Sequence, residues 1–321
     1  MKQTDYAYST AYIRALENKL LTKSDIEALV LSPDFQSAAQ SLRDRGYTDR
    51  AITPENLDKI LNEKLEESRT EAIWASPKDN ILNIFIYKND FHNLKAVLKC
   101  VVSKNKSFER FVLTPTNIDL NNLVEAIANS DFGMLPDYMQ EAASEAFDAL
   151  SRLGDGALAD SLIDKACMDY MKAEADKTKN EFLIGLINLE NTMADIKIAE
   201  RSAKAGKDKG FLESALSAES DIDRKELILA SVSDSVVEFL KEKGKEAAAK
   251  AIESGLGEFE KYADNAINDY VKTARFVTFG VEPVISYIQR KQAEIQTIRV
   301  ILNAKHNKIS EAEIRERLRD L

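Results

Sequence analysis

Three aspartates in the middle of the chain have the residue type that a magnesium site needs. Asp160 and Asp164 lie four positions apart, so a helix would place both carboxylates on one face, with Asp169 nearby. A helical hydrolase could bind a metal ion there. However, Asp169 follows Asp164 by five positions, about 140 degrees round a helix. The same Asp-x-x-x-x-Asp-Tyr pattern also recurs at 264–270, which favours a structural role.

Other catalytic groups are scarce. The chain has two histidines, His92 and His306, and neither has an acidic or cysteine neighbour at metal-ligand spacing. Each is predicted to be a solvated or interface polar residue. The glycine pair at 154–156 lacks the Lys-Ser/Thr of a phosphate loop, so it is predicted to end a helix. We therefore predict no catalytic residue, no cofactor and no metal site, with the three-aspartate hydrolase as a rival.

Composition indicates a helical protein. The 321 residues include 44% hydrophobic residues, enough for a sizeable core, but only 11 glycines and 6 prolines. The net charge of −10 disfavours a nucleic-acid partner. Cys100 and Cys167 form no Cys-x-x-Cys pair, which suits a reducing compartment, and each is predicted to be a small buried hydrophobe.

No targeting or membrane-spanning segment is expected. The N-terminal sequence lacks a basic stretch followed by an apolar run, as a signal peptide would have. The most apolar segment, at 180–198, is interrupted by Asn188 and Glu190 before it reaches the roughly 20 residues that a span needs. The sequence therefore predicts a protein that is kept in the cytoplasm.

One short pattern, apolar-x-x-apolar-Lys/Arg, occurs three times at equal spacing. It is found in DFHNLKAVL at 90–98, TMADIKIAE at 192–200 and EIQTIRVIL at 294–302, and successive copies are 102 positions apart. The basic residue of the pattern is Lys95, Lys197 and Arg299. DKACMDYMK at 164–172 and DNAINDYVK at 264–272 repeat at a step of 100. A period near one third of the chain predicts related domains.

Helix-start signals add a weaker repeat. Ser/Thr-x-x-acid capping boxes are predicted at Ser24, Thr116, Ser220 and Ser310. Together with breaks near Thr114-Pro115 and Gly206–Gly210, these patterns predict an all-α fold of three similar helical bundles, at residues 1–115, 116–215 and 216–321. On these grounds alone the chain is a non-enzymatic helical scaffold or adaptor.

Three segments together resemble a known family. The first is YAYSTAYIRALENKLLTKSDIEALV near the N-terminus, the second is NDFHNLKAVLK at 89–99, and the third runs from EPVISYIQRK at 282 to RERL at 318. They are similar to the C subunit of bacterial and archaeal A/V-type ATPases, the family of the d subunit of the eukaryotic vacuolar proton pump. Tyr47 is kept without the threonine that often precedes it by two, His306 stands where the family varies, and the copy at 192–200 is the weakest.

The resemblance implies a funnel of three bundles with pseudo-threefold symmetry and a role without catalysis. Such proteins sit on the cytoplasmic face of the membrane rotor ring of proteolipid subunits, as peripheral proteins, and receive the central stalk subunits D and F. The chain would then transmit torque between ATP hydrolysis or synthesis and proton or sodium transport. The rival is a helical adaptor unrelated to ATPases.

The basic residues of the repeated pattern are the predicted partner contacts, because three of them around one axis could form a ring of positive charge. Further candidates come from the C-terminal segment that resembles the family. The full set of predicted partner-binding residues is Lys95, Lys197, Arg299, Glu282, Lys291, Glu294 and Lys305.

Overall fold

The computed structural model describes residues 3–77, 81–104, 108 and 111–320, and every α-helix or 3₁₀ turn in them agrees with the predicted all-α class, with no strand among these residues. The α-helices of the described residues are α1 (Ala7–Glu17), α2 (Lys23–Leu31), α3 (Phe35–Asp44), α4 (Leu57–Ala75), α5 (Ile84–Val102), α6 (Leu120–Asn129), α7 (Asp137–Ser151), α8 (Gly156–Thr178), α9 (Glu181–Lys204), α10 (Lys209–Ala215), α11 (Arg224–Val232), α12 (Val236–Glu242), α13 (Glu246–Glu253), α14 (Leu256–Lys272), α15 (Glu282–His306) and α16 (Glu311–Arg317).

The helices are grouped into two compact units. Unit 1 combines residues 1–79 with residues 261–321, and unit 2 contains residues 80–260. Unit 1 therefore joins the two ends of the chain. The division into thirds at 115 and 215 concerns repeated sequence and stays a prediction.

The core of unit 1 forms around the long helix α15. Ile295, Ile298 and Leu302, at steps of three and four, lie on one face of α15 and are at most 1% exposed. They pack against residues of α2, α3 and α4, such as Leu29 and Leu61. Burying each such side chain contributes about 1.5–3 kcal/mol. Replacing Ile298 by Ala would cost about 2–5 kcal/mol, because the neighbours cannot fill the cavity fully.

Helix α5 has the corresponding place in unit 2. Its Phe91, Leu94 and Leu98 are at most 2% exposed and pack with residues of α6, α7 and α8, including Met139 and Ile163. Helix α7 faces this core with alanines at 143, 146 and 149. Small side chains let neighbouring helix axes approach closely. Helix α9 continues the packing against α8, α10, α11 and α12.

Helix ends correct part of the capping prediction. The predicted box at Ser310 is confirmed, with Glu313 as its partner. The box predicted at Ser24 is wrong, because the N-cap of α2 lies two residues earlier, at Thr22, whose capping partner is Asp25. For the boxes predicted at Thr116 and Ser220, the acidic residue itself, Asp119 or Asp223, caps the helix. An aspartate side chain accepts the orphan N–H groups as well as serine or threonine does.

Several helices end on a residue in the left-handed conformation. Gly46 after α3, Gly154 after α7 and Gly244 after α12 have φ of 71°, 68° and 70°. Only glycine adopts this conformation without steric cost. Gly154 thus lies at a helix end, as its sequence context predicts. In the part of the chain that the structure describes, none of the helices combines the length and the apolar character that a membrane span requires.

Candidate functional site

Each basic residue of the repeated pattern forms an ion pair with a neighbouring helix. Lys95 Nζ lies 2.6 Å from Asp164 Oδ1, and Lys197 Nζ lies 3.6 Å from Glu260 Oε1. Arg299 Nε donates to Asp58 Oδ1 over 2.8 Å. The three basic side chains remain 24%, 36% and 24% exposed. They therefore support helix packing and are still accessible from solvent.

A second repeated position was not recognised from the sequence. Asp90, Thr192 and Glu294 directly precede the three apolar patterns, again 102 positions apart, and all three are buried. Each accepts a backbone N–H from a segment just before a helix. The donors are the amides of Asn117 over 2.9 Å, Asp221 over 3.0 Å and Leu21 over 2.5 Å, respectively. The signal was a polar residue at the same register in each copy.

Of the three residues at this repeated position, Asp90 accepts the most hydrogen bonds. Its carboxylate also accepts the Thr116 hydroxyl over 2.6 Å and the Tyr138 hydroxyl over 2.9 Å. A buried carboxylate is tolerated only when such donors compensate its lost hydration. Burial, and then the Asp90 charge, raise the pKa of Tyr138 above its ordinary range. The tyrosine thus stays a neutral donor.

Asp195 lies on α9, one turn after Thr192, and is a second buried carboxylate that binds a neighbouring segment. It is 2% exposed and accepts the Ser217 amide over 2.9 Å and the Ser217 hydroxyl over 2.6 Å. Burial raises the pKa of this carboxyl, although the serine hydrogen bonds oppose that effect. Asp195 thereby binds the segment that leads into α11.

Two of the predicted partner contacts lie inside unit 1. Lys291 and Glu294 are 4% and 2% exposed, and Lys291 Nζ donates to Glu294 Oε1 over 2.5 Å. The ammonium also lies 4.7 Å from the centre of the Tyr47 ring, in a cation–π contact. Burial, and then the Glu294 charge, raise the pKa of Tyr47. Their direct role in partner binding stays a prediction, whereas their structural role is an interior ion pair.

The two remaining C-terminal candidates lie at opposite ends of α15. Lys305 Nζ donates over 2.5 Å to the backbone oxygens of Val30 and Ser32, at the end of α2. A cation is favourable there because the last carbonyls of a helix lack intrahelical donors. Glu282 is partly exposed in the first turn of α15, where a carboxylate suits the positive end of the helix dipole.

Arg14 of α1 joins the N-terminal segment to the C-terminal part of the chain. Its guanidinium donates to the carbonyl oxygens of Ala274 and Val277 over 3.1 and 3.4 Å, just after α14. It also pairs with Glu17, which in turn pairs with Arg290 of α15 over 3.1 Å. The two terminal segments that carry the family resemblance thus come together in unit 1.

The three-aspartate hydrolase gains no support from this geometry. Asp160 pairs with Lys99 over 2.7 Å, and Asp164 with Lys95. Asp169 pairs with Lys165 on its own helix. In the part of the chain that the structure describes, no group of three or more His, Cys, Asp and Glu residues could hold a metal ion. Each carboxylate already has a cation of its own.

Both histidines are exposed and Cys100 is buried, as the sequence predicts, whereas Cys167 is partly exposed. His92 and His306 are exposed, with His92 Nε2 2.9 Å from the Phe111 oxygen and His306 edge-on to Phe35. Cys100 is buried as predicted. Cys167 is partly exposed as a residue, but burial of its thiol raises the pKa to about 12. Neither cysteine is set up as a nucleophile.

Comparison with known families identifies the chain. The family model described as ATP synthase (C/AC39) subunit matches residues 9–317. The chain belongs to this family. Similar C/AC39 proteins are the C subunit of the V-type sodium ATPase of Enterococcus hirae, 19% identical over 99% of both chains, and the C subunit of the A-type ATP synthase of Haloquadratum walsbyi, 25% identical over 96% of both. The corresponding C subunit of the A-type ATP synthase of Methanosphaera stadtmanae is 22% identical over 99% of this chain and 89% of its own.

The family assignment changes how the ion-paired network is interpreted. The family match over residues 9–317 confirms the resemblance that the terminal segments indicated. The residues of these segments mostly join helices within unit 1. In this chain, the segments that carry the resemblance therefore serve internal packing to a large extent.

Proposed function

We propose that this C/AC39 protein is a non-catalytic rotor component of a V- or A-type ATPase. The observation that carries the proposal is the family match over residues 9–317, together with relatives of similar length that are named as the C subunits of such complexes. In this role it couples the central stalk subunits D and F to the membrane ring of proteolipid subunits. It transmits torque between ATP hydrolysis or synthesis and proton or sodium transport, at the cytoplasmic face, as a peripheral protein.

The physical character of the chain supports such a role. A torque adaptor needs stiff elements and many internal contacts, and α8, α9 and α15 are helices of 23 to 25 residues. Buried carboxylates join two of these helices to neighbouring segments, Asp195 of α9 to Ser217 and Glu294 of α15 to Leu21. Three similar bundles about a pseudo-threefold axis would suit a central stalk, and we keep that funnel as part of the proposal.

For partner binding we propose the exposed ends of the repeated pattern. The side chains of Lys95, Lys197 and Arg299 remain 24% to 36% exposed, so a partner carboxylate could compete with their internal acids. Glu282 is the partly exposed candidate at the start of α15. Lys291, Glu294 and Lys305 would act from inside, by fixing α15 against the N-terminal helices.

The decisive experiment removes the chain from its host complex. In cells that lack it, the catalytic head should still hydrolyse ATP, but membrane vesicles from these cells should fail to drive ATP-dependent ion uptake. Adding back the purified chain should restore ATP-driven uptake, measured with a pH-sensitive dye or with radioactive sodium. Normal uptake in its absence would overturn the proposal. A chain that co-purifies with none of the ATPase proteins would favour the unrelated adaptor.

A further inference from the structure

The C-terminal tail, residues 318–320, follows α16 and contacts α14. The α14 residues that bind α16 and the tail are spaced by three, one and three positions, so they lie on one side of the helix. These residues are Lys261, Asp264, Asn265 and Asn268. Lys261 Nζ donates to the backbone oxygen of Glu316 over 3.0 Å, and Arg319 Nε lies 2.8 Å from Asp264 Oδ2. One polar face of α14 therefore binds the end of α16 and the tail after it.

Asp320 makes most of the hydrogen bonds between the tail and α14. Asn265 Oδ1 accepts its backbone N–H over 2.9 Å, and Asn265 Nδ2 donates to its carboxylate over 3.0 Å. About one turn further along α14, Asn268 Nδ2 donates to the backbone oxygen of Asp320 over 3.0 Å. Asn268 is only 8% exposed. Two asparagines thus bind the N–H, the carbonyl and the carboxylate of a single residue.

The other end of this segment is fixed to the core of unit 1. Ile314 of α16 is 0% exposed within the apolar cluster that α15 shares with α2, α3 and α4, and Leu318 packs against the same cluster. Arg315 forms an ion pair with Glu27 of α2. A chain terminus is usually poorly ordered unless such contacts hold it. Because both of its ends are bound, the segment from Ile314 to Asp320 connects this core to α14.

The helix that the tail binds belongs to both units. Residues 256–260 of α14 lie in unit 2, and residues 261–272 lie in unit 1. The family model matches residues 9–317, so the tail lies beyond the matched residues. The family match therefore does not account for the bonds that Asp320 makes.

We propose that the C-terminal tail is a strap that fixes residues 261–272 of α14 to α16, with Asp320 as its anchoring residue. Local opening of this half of α14 breaks its bonds to the tail, so these bonds raise the free energy of opening. The Arg319–Asp264 pair is partly exposed and contributes little. The bond of Asn268 contributes more, because this side chain has little access to water once the bond is broken. The inference concerns the chain by itself and does not depend on the proposed rotor role.

Hydrogen exchange on the purified chain tests this with N265A/N268A. Alanine has the higher helix propensity, so in the absence of a strap the two substitutions should slow exchange of the α14 amides. With the strap, the loss of three hydrogen bonds outweighs that gain. We then expect the amides of residues 262–272 to exchange about tenfold faster than in the unmodified chain. Asn303→Ala, at an exposed position of α15, is the matched control and should leave α14 exchange unchanged.

R319A/D320A tests the strap from the tail and leaves the sequence of α14 as it is. It removes the Arg319 pair and the carboxylate that Asn265 binds, so the same α14 amides should exchange at least about twofold faster. If N265A/N268A does not fold, this variant provides the test by itself. Unchanged or slower exchange of α14 in either variant would overturn the proposal, as would faster exchange that extends evenly over unit 1 or an equal effect of Asn303→Ala.

Discussion

Arg299 Nε donates to the Asp58 carboxylate over 2.8 Å, which joins α15 to a helix 241 positions earlier in the chain. Lys95 and Lys197, at the same register of the repeat, pair with α8 and α14. The repeated basic residue thus has a repeated structural partner. Because the partner acids Asp58, Asp164 and Glu260 lie on helices distant in sequence, the pairing became visible only in the folded chain.

A triple charge reversal tests whether these basic residues also contact a partner. K95E/K197E/R299E should reduce co-purification with stalk and ring subunits at least about tenfold, because contacts of complementary charge would become repulsive. The measurement is the amount of each ATPase protein recovered with the tagged chain.

A charge-swapped variant separates partner binding from internal pairing. K95E/D164K, K197E/E260K and R299E/D58K, combined, restore the internal pairs with opposite polarity. Exposed pairs contribute about 0–1 kcal/mol each. The free energy of unfolding of this variant should therefore lie within about 3 kcal/mol of that of the unmodified chain. It should still fail to co-purify. Recovery of the complex by the swapped variant would show that the three residues have only a structural role.

Asp90 should be far more important for stability than the exposed acids. Asp90→Ala leaves the Thr116 and Tyr138 hydroxyls and the Asn117 amide without their acceptor, and should cost about 3–5 kcal/mol. Asp164→Ala, which removes the partner of Lys95, should cost less than about 1 kcal/mol. Urea unfolding followed by circular dichroism measures both. Similar losses for the two variants would contradict this ranking.

Asp195 should make stability depend on pH in a defined direction. Burial raises its pKa above the ordinary value of 3.8, so the folded chain binds a proton at this site at higher pH than the unfolded chain does. This site therefore adds stability as pH falls through the folded pKa towards 3.8. The free energy of unfolding of the unmodified chain minus that of Asp195→Asn should grow between pH 7 and pH 4.

Ser217→Ala gives a matched comparison for Asp195. It removes the hydroxyl that donates to this carboxylate over 2.6 Å, so the pKa of Asp195 should rise further and the added stability should begin at higher pH. Urea titrations at a series of pH values measure both differences. A difference between the unmodified chain and Asp195→Asn that stays flat or shrinks on acidification would refute the expectation.

Cys167 should resist alkylation in the folded chain. Burial raises the pKa of its thiol to about 12, and only the thiolate reacts rapidly. At pH 8, iodoacetamide should label Cys167 at less than about a hundredth of its rate in urea. Mass spectrometry of the Cys100→Ser variant reports Cys167 alone. Labelling of the native variant at close to the unfolded rate would contradict the burial.

Local features of the chain were readable from the sequence. The chain has few glycines and prolines, and its apolar residues are spaced three and four positions apart. This pattern specifies helices, because each backbone hydrogen bond of a helix joins residues only four positions apart. The three copies of the pattern, at steps of 102 positions, lie on the long helices α5, α9 and α15. The resemblance of the terminal segments correctly indicated the C/AC39 family.

Burial of individual polar residues was not readable in the same way. Lys291 and Glu294 are three positions apart, a spacing typical of exposed ion pairs on a helix surface, yet they lie inside unit 1. Helix α15 is covered on several faces, by α1, α2, α3 and α4. A helix surrounded in this way has no solvent face for its charges, and pattern alone cannot show which neighbours cover it.

The sequence by itself therefore determined the helical class, the repeated register and the family, since each depends on short-range spacing or on motif identity. Only the tertiary structure decided that Glu294 binds the Leu21 amide, that Arg299 pairs with Asp58, and that the two chain ends share one unit. These contacts span more than 200 positions. Their formation depends on how apolar faces pack together, which no local pattern specifies.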